Sequence, residues 1–219
     1  MTLPLEVAPD ATAAARRVGS LVAAKAREAI ADRGRFSVAL SKAPAAMVEA
    51  LVEAAPRWDG IDVYQVDERA APSGSRDRNL TALDAALPPD AVGSLHPMPV
   101  EAPDLEDAAR LYQVVLPAAL DLVHLGLGAD GHTASLVPGD PVLDVRDDLV
   151  AVTAGYQGFR RMTLTYPALE TAREIVWLVT GEEKREILAR LLEGDDSIPA
   201  ARISNASQLV VADPAAAPE

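Results

Sequence analysis

Cysteine is absent from this chain of 219 residues. That excludes disulfides, thiolate metal sites, iron–sulfur clusters and a cysteine nucleophile. Aromatic residues are sparse, at 4%. No apolar run approaches the roughly 20 residues needed to span a bilayer, so no membrane partner is expected. The opening MTLPLEVAPD has neither a basic n-region nor an apolar h-region, and so carries no evident secretory signal. Positive charge is in deficit: 20 Lys and Arg stand against 33 Asp and Glu, a formal charge of −13, and only Lys25, Lys42 and Lys184 are lysines. A field of that sign opposes nonspecific binding to nucleic acid. It still admits an anionic small molecule, because a local pocket of Arg and Lys prevails at short range. No two histidines share one element at metal-ligand spacing, so no metal site is expected.

What is present is a core-forming composition, 49% apolar and 24% charged, in which Val, Leu and Ile recur in strand-sized blocks. The length suits one domain over 1–219 with a substantial core. The expectation is a soluble cytoplasmic globule, a monomer or small homo-oligomer.

Periodicity predicts a helix from Asp10 to Arg33 stopped by Gly34, a strand over Arg35 to Ser41, and a helix from Ala45 to Ala55 opened by Pro44. A strand over Ile61 to Val66 then runs into a charged cluster, and a helix from Asp77 to Ala86 ends at Pro88 and Pro89. A long amphipathic helix is expected over Pro103 to Ala119, with Asp104 as its N-cap. Strands follow over Asp121 to Leu125, Leu149 to Thr153, Glu174 to Val179 and Gln208 to Ala212. A short helix is expected near Pro167 and another over Glu182 to Leu192, and the tail from Asp213 to Glu219 reads as frayed. Such alternation, with near-continuous apolar strands, predicts an α/β fold: a mainly parallel twisted sheet with helices on both faces. Ligand sites in these sheets gather beyond the carboxyl ends of the strands.

The chemistry-bearing clusters fall at those ends. Gly126, Gly128 and Gly131 follow a strand and suit a sharp turn that presents N–H groups to an anion or oxyanion, or a purely structural turn. His132, beside Asp130, reads either as a general base or as a histidine hydrogen-bonded within the turn. Arg69, Arg160, Arg161 and Lys184 lie near strand ends and together would suit a phosphate, whereas each alone reads as a surface charge. Asp67 and Glu68 suit acid–base work or a pairing with Arg69. Ser135 is conceivable as a nucleophile, although no G-x-S-x-G elbow exposes it.

In combination these segments resemble the glucosamine-6-phosphate isomerase/6-phosphogluconolactonase family. Asp67-Glu-Arg69 with Asn79 is similar to its "DER … SN" segment. Leu125-Gly-Leu-Gly-Ala-Asp-Gly-His-Thr-Ala-Ser-Leu-Val-Pro-Gly139 resembles "LGxGxDGHxASLFPG". Arg161-Met-Thr-Leu-Thr165 resembles "RxTLT", and Thr180-Gly-Glu-Glu-Lys184 resembles "xGxxK". The resemblance implies a Rossmann-like three-layer sandwich, no cofactor, and a sugar-phosphate lactone as the small-molecule partner. It implies that His132 activates water, that Asp130 orients it, that backbone N–H groups near Gly126 to Gly131 meet the oxyanion, that Arg69, Arg161 and Lys184 hold the phosphate, and that Ser41, Asp67 and Asn79 also contact the substrate. The lactonase branch fits Asp67-Glu-Arg69 better than amino-sugar deamination does. One departure stands out. The family's Ser-Gly-Gly-Ser-Thr-Pro loop is here Ser41-Lys-Ala-Pro44, two residues shorter and without glycine. Lys42 either supplies a point charge in place of the lost backbone cradle, or blocks the pocket of a non-catalytic or weakly active relative. A second departure is Arg78, where the family favours serine.

Overall fold

The computed structural model describes residues 3–55, 58–88 and 95–218. Met1, Thr2, the expected helix stop at Pro89, and Glu219 lie outside the described residues. The first strand, β1 (Leu5–Val7), leads into helix α1 (Ala11–Arg33). Asp10 caps α1 by accepting the Ala13 N–H at 2.7 Å, and Gly34 closes it at φ 78°, its N–H returning to the Ile30 carbonyl. Then follow β2 (Phe36–Leu40), α2 (Ala45–Ala54), β3 (Ile61–Gln65), β4 (Asp67–Arg69), α3 (Asn79–Ala86), β5 (Leu95–His96) and α4 (Leu105–Tyr112). The second half comprises β6 (Leu122–Gly126), β7 (Val150–Val152), β8 (Arg161–Leu164), α5 (Tyr166–Glu170), β9 (Ile175–Val179), α6 (Arg185–Glu193) and β10 (Gln208–Ala212).

Seven strands form one sheet in the order β1-β10-β9-β6-β2-β3-β5, each neighbouring pair parallel. Alternate residues of each inner strand enter opposite cores, because successive side chains point to opposite faces. Val38, Leu40, Leu122, Val176 and Leu178 pack with α1, α2 and Leu83 of α3. Ala39, Val123, Leu125, Ile175, Trp177 and Val179 pack with residues of α4, α5 and α6. Both faces are thus covered, which is why the strands read as unbroken apolar runs. The predicted three-layer α/β sandwich is the observed architecture.

Three short stretches form a second, antiparallel sheet, β4-β8-β7. β7 falls within the strand expected over Leu149 to Thr153, whereas β4 and β8, three and four residues long and paired across the chain, are not revealed by local pattern. The predicted helix over Pro103 to Ala119 is shorter than expected. Asp104 does cap α4, accepting the Asp107 N–H at 2.8 Å. After Tyr112 the chain tightens into a 3₁₀ turn and leaves helical geometry at Leu116 (φ −70°, ψ 142°), the residue before Pro117, where proline sterically disfavours the helical region. The tail is ordered rather than frayed: Ala216 is fully buried and donates its N–H to Asp213, which also accepts the Gly181 N–H. Among the described residues no helix is long and apolar enough to cross a membrane.

The chain leaves β2 for β3 and β5, then returns to lay β6 on the other side of β2 and continues to β9 and β10. The order reverses between β2 and β6. The topological switch point therefore lies at their carboxyl ends, between the loop at Ser41 and the loop at Gly126, where sheets of this kind hold their ligands.

Candidate active site

The loop leaving β6 closes on itself. Thr133 Oγ1 donates to the Gly126 carbonyl at 2.9 Å, Gly128 N–H donates to the His132 carbonyl at 2.8 Å, and Gly131 N–H donates to the Gly128 carbonyl at 2.9 Å. The N–H groups of Gly128 and Gly131 are therefore committed within the loop, which corrects the expectation that they face a ligand. These two glycines instead make room. A Cβ on Gly128 would lie 2.1 Å from His132 Nδ1 and 2.7 Å from Asp130 Oδ1. One on Gly131, at φ 82°, would lie 2.6 Å from Ile198 Cβ.

In the space so opened, Asp130 Oδ1 approaches His132 Nδ1 at 2.5 Å and also accepts the His132 N–H at 3.2 Å. Burial pushes the Asp130 carboxyl up, but the hydrogen bonds from the His132 ring and backbone, the charge of that ring and the Tyr156 hydroxyl together hold it below the usual carboxylate range. An ionised carboxylate only accepts, so Nδ1 carries a proton in either form of the ring, and in the neutral form it is Nε2 that keeps a lone pair. The His132 side chain is 23% exposed, open enough to meet a water or substrate.

The cations come from the small sheet and from β9. Arg69 and Arg161 are register partners across β4 and β8. Arg161 is buried, not the solvated charge that a single arginine suggests. Its desolvation, with Arg69 close by, lowers its pKa from the usual guanidinium value. Arg161 Nε has no hydrogen-bond partner among the described residues, and its Nη2 reaches Gln157 Oε1 at 3.3 Å. Arg69 Nη1 donates to the Asp77 carbonyl at 2.6 Å. Lys184 follows β9 in a 3₁₀ turn, at the same sheet end as Gly126 because β9 and β6 are neighbours. Ser41 stands at the end of β2, its N–H on the His124 carbonyl at 3.2 Å, and Lys42 beyond it is exposed.

The remaining expected residues form a supporting layer. Asp67 is buried, one oxygen accepting Ser135 Oγ at 2.5 Å and the other Asn79 Nδ2 at 3.1 Å. Burial raises the Asp67 pKa against the opposing effects of Ser135, Arg161 and Arg69. Asp67 and Asn79, read as substrate contacts from the sequence, thus have their polar groups engaged with one another and with Ser135. Ser135 is fully buried and in no position to act as a nucleophile. Glu68 does not pair with the Arg69 side chain. Its carboxylate receives the N–H groups of Asn79 and Leu80 at 2.8 Å each, capping α3, and Gln65 Nε2 at 2.8 Å. Arg78 completes this layer, bonded to Glu101 at 3.0 Å and 3.6 Å from Glu68.

One residue at the site carries no motif. Tyr156 donates its hydroxyl to Asp130 Oδ2 at 3.1 Å and sets its ring edge-on to His132, with centroids 5.4 Å apart. The signal for it is slight: Gln157-Gly158 between two short strand-like runs, a hairpin turn written without the usual Asn-Gly.

A family-level sequence profile described as glucosamine-6-phosphate isomerases/6-phosphogluconolactonase matches residues 9–211. A 6-phosphogluconolactonase of Synechocystis sp. is 38% identical over 187 residues, 78% of this chain and 77% of its own length. One of Nostoc sp. is 36% identical over 208 residues, 87% of this chain and 85% of its own. The crystal structure of 6-phosphogluconolactonase from Thermotoga maritima superposes with a TM-score of 0.84 at 26% identity, over 96% of this chain and 99% of that one. The chain belongs to the glucosamine-6-phosphate isomerase/6-phosphogluconolactonase family.

Proposed function

We propose that this protein hydrolyses 6-phospho-D-glucono-1,5-lactone to 6-phospho-D-gluconate, the lactone-opening step of the oxidative pentose phosphate pathway. The observation that carries the reading is the Asp130–His132 pair, whose geometry leaves Nε2 as a free base beside a ring that lies against a buried arginine. His132 Nε2 takes a proton from water as the oxygen attacks the lactone carbonyl. The ester C–O bond to the ring oxygen breaks as the tetrahedral intermediate collapses, and the imidazolium returns its proton to that leaving oxygen. Asp130 holds the tautomer and offsets the charge on the ring. Arg69, Arg161 and Lys184 bind the phosphate dianion, and Lys42 adds a point charge where the shortened loop has no glycine cradle. The names of the relatives support this substrate class.

The direct test follows acid release from freshly made lactone above its spontaneous opening, alongside ammonia release from glucosamine 6-phosphate. Enzyme-dependent acid and no ammonia is the expected outcome. Ammonia without acid would assign the deaminase chemistry instead, and binding of 6-phosphogluconate without either product would mark a non-catalytic relative.

A further inference from the structure

The hairpin joining β7 to β8 ends in a tight turn. Tyr156 N–H bonds to the Phe159 carbonyl at 2.9 Å and Phe159 N–H to the Tyr156 carbonyl at 3.2 Å. Between them Gln157 and Gly158 both take positive φ, 53° and 84°, the backbone of a turn whose twist matches its flanking strands. This turn fixes the position of the Tyr156 side chain, which reaches both Asp130 and Arg161. Its hydroxyl bonds to Asp130 Oδ2, the oxygen that His132 does not use. The Arg161 guanidinium carbon lies over its ring, 5.0 Å from the centroid.

We propose that Tyr156 is a positioning residue that joins the two ends of the site, an inference that rests on the lactonase reading above. Asp130 is partly exposed, so without a second anchor its carboxylate would rotate and exchange partners with water. The hydroxyl holds the carboxylate plane, and the carboxylate in turn holds the imidazole. The ring edge packed against His132 restricts the same imidazole from a second side. The aromatic face meanwhile steadies a buried guanidinium that has one N–H without a partner among the described residues, the group that receives the substrate's dianion. The hydroxyl thus serves turnover and the ring serves binding, and the two are separable by substitution.

The experiment compares wild type, Tyr156→Phe and Tyr156→Leu in steady-state lactone hydrolysis and in calorimetric binding of 6-phosphogluconate. Removing only the hydroxyl is expected to lower kcat about fivefold, with KM and Kd within about twofold of wild type. Removing the ring is expected to lower kcat at least as far and to weaken both KM and Kd about tenfold. Thermal midpoints show that each variant is folded at the assay temperature. A residue that only supported the fold would move kcat and Kd together, in step with loss of the folded population, and phenylalanine would restore both. An active wild type with Tyr156→Phe unchanged in kcat, or with Tyr156→Leu unchanged in Kd, overturns this inference alone. A wild type that neither opens the lactone nor binds the product overturns the functional reading and this inference with it.

Discussion

His124 lies in β6, the strand beside the switch point, on the face that packs under α1 and α2. It is buried, and neither ring nitrogen has a hydrogen-bond partner among the described residues. Burial alone brings its pKa down to about 4. The sign of the consequence follows from linkage. Below pH 6.5 the unfolded chain binds a proton that the folded protein refuses, so stability falls as pH drops from about 6.5 to about 4. That interval corresponds to roughly 3 kcal/mol. Urea unfolding at both pH values should show His124→Leu free of this component, its pH slope flatter than wild type by about that amount. Equal slopes would mean that the imidazole is protonated inside the fold or in contact with water. At this scale the sequence was legible where a residue type has one common use. His132 beside Asp130 on a glycine turn suggested a base, and the pair is in contact. It was misleading where burial decides: Asp67 and Asn79 look like polar site residues and are engaged below it. Tyr156 was not legible, because Asp130 and His132, the partners that bring it into the site, are far away in the chain and no spacing encodes them.

Helix α1 shows how an element is written for its neighbour. Its buried face is almost entirely small, with Ala14, Ala15, Gly19, Ala23 and Ala26 among its members. Glycine inside a helix costs about 1 kcal/mol relative to alanine, yet here it permits contact. A Cβ on Gly19 would fall 2.1 Å from the Met47 carbonyl oxygen of α2, a backbone atom that cannot step aside. Gly19→Ala should therefore destabilise by at least about 1–3 kcal/mol despite the better helix propensity, lowering the thermal midpoint by several degrees. Gly155→Ala, where an added Cβ meets nothing within 4 Å, is the control. A Gly19→Ala midpoint equal to wild type would contradict the close crossing of α1 and α2. Elements with internal signals were readable: α1 has its cap and glycine stop, and β2, β6 and β9 are continuous apolar blocks. Strand β4 was read as a charged cluster and β8 only as a motif segment near a strand end, since only their mutual pairing makes them strands.

For the whole molecule, the sheet order determines where these residues meet. The reversal between β2 and β6 brings Ser41, Lys42 and the His132 loop to one end of the sheet, and β9 adds Lys184 there. The small sheet places Arg69 and Arg161 side by side, which local pattern does not disclose. A protein of formal charge −13 is a poor general attractor for a phosphorylated sugar. At physiological ionic strength, however, charges beyond about 8 Å are largely screened, so the nearby cations govern the final approach. One imidazole, oriented by Asp130, is the proposed base for lactone opening. That role is tested most directly by the initial rate of acid release from freshly made 6-phosphogluconolactone with His132→Ala beside wild type. The predicted result is a loss of about 10²–10⁴-fold in kcat for a variant that remains folded. A His132→Ala rate within about twofold of wild type would contradict it.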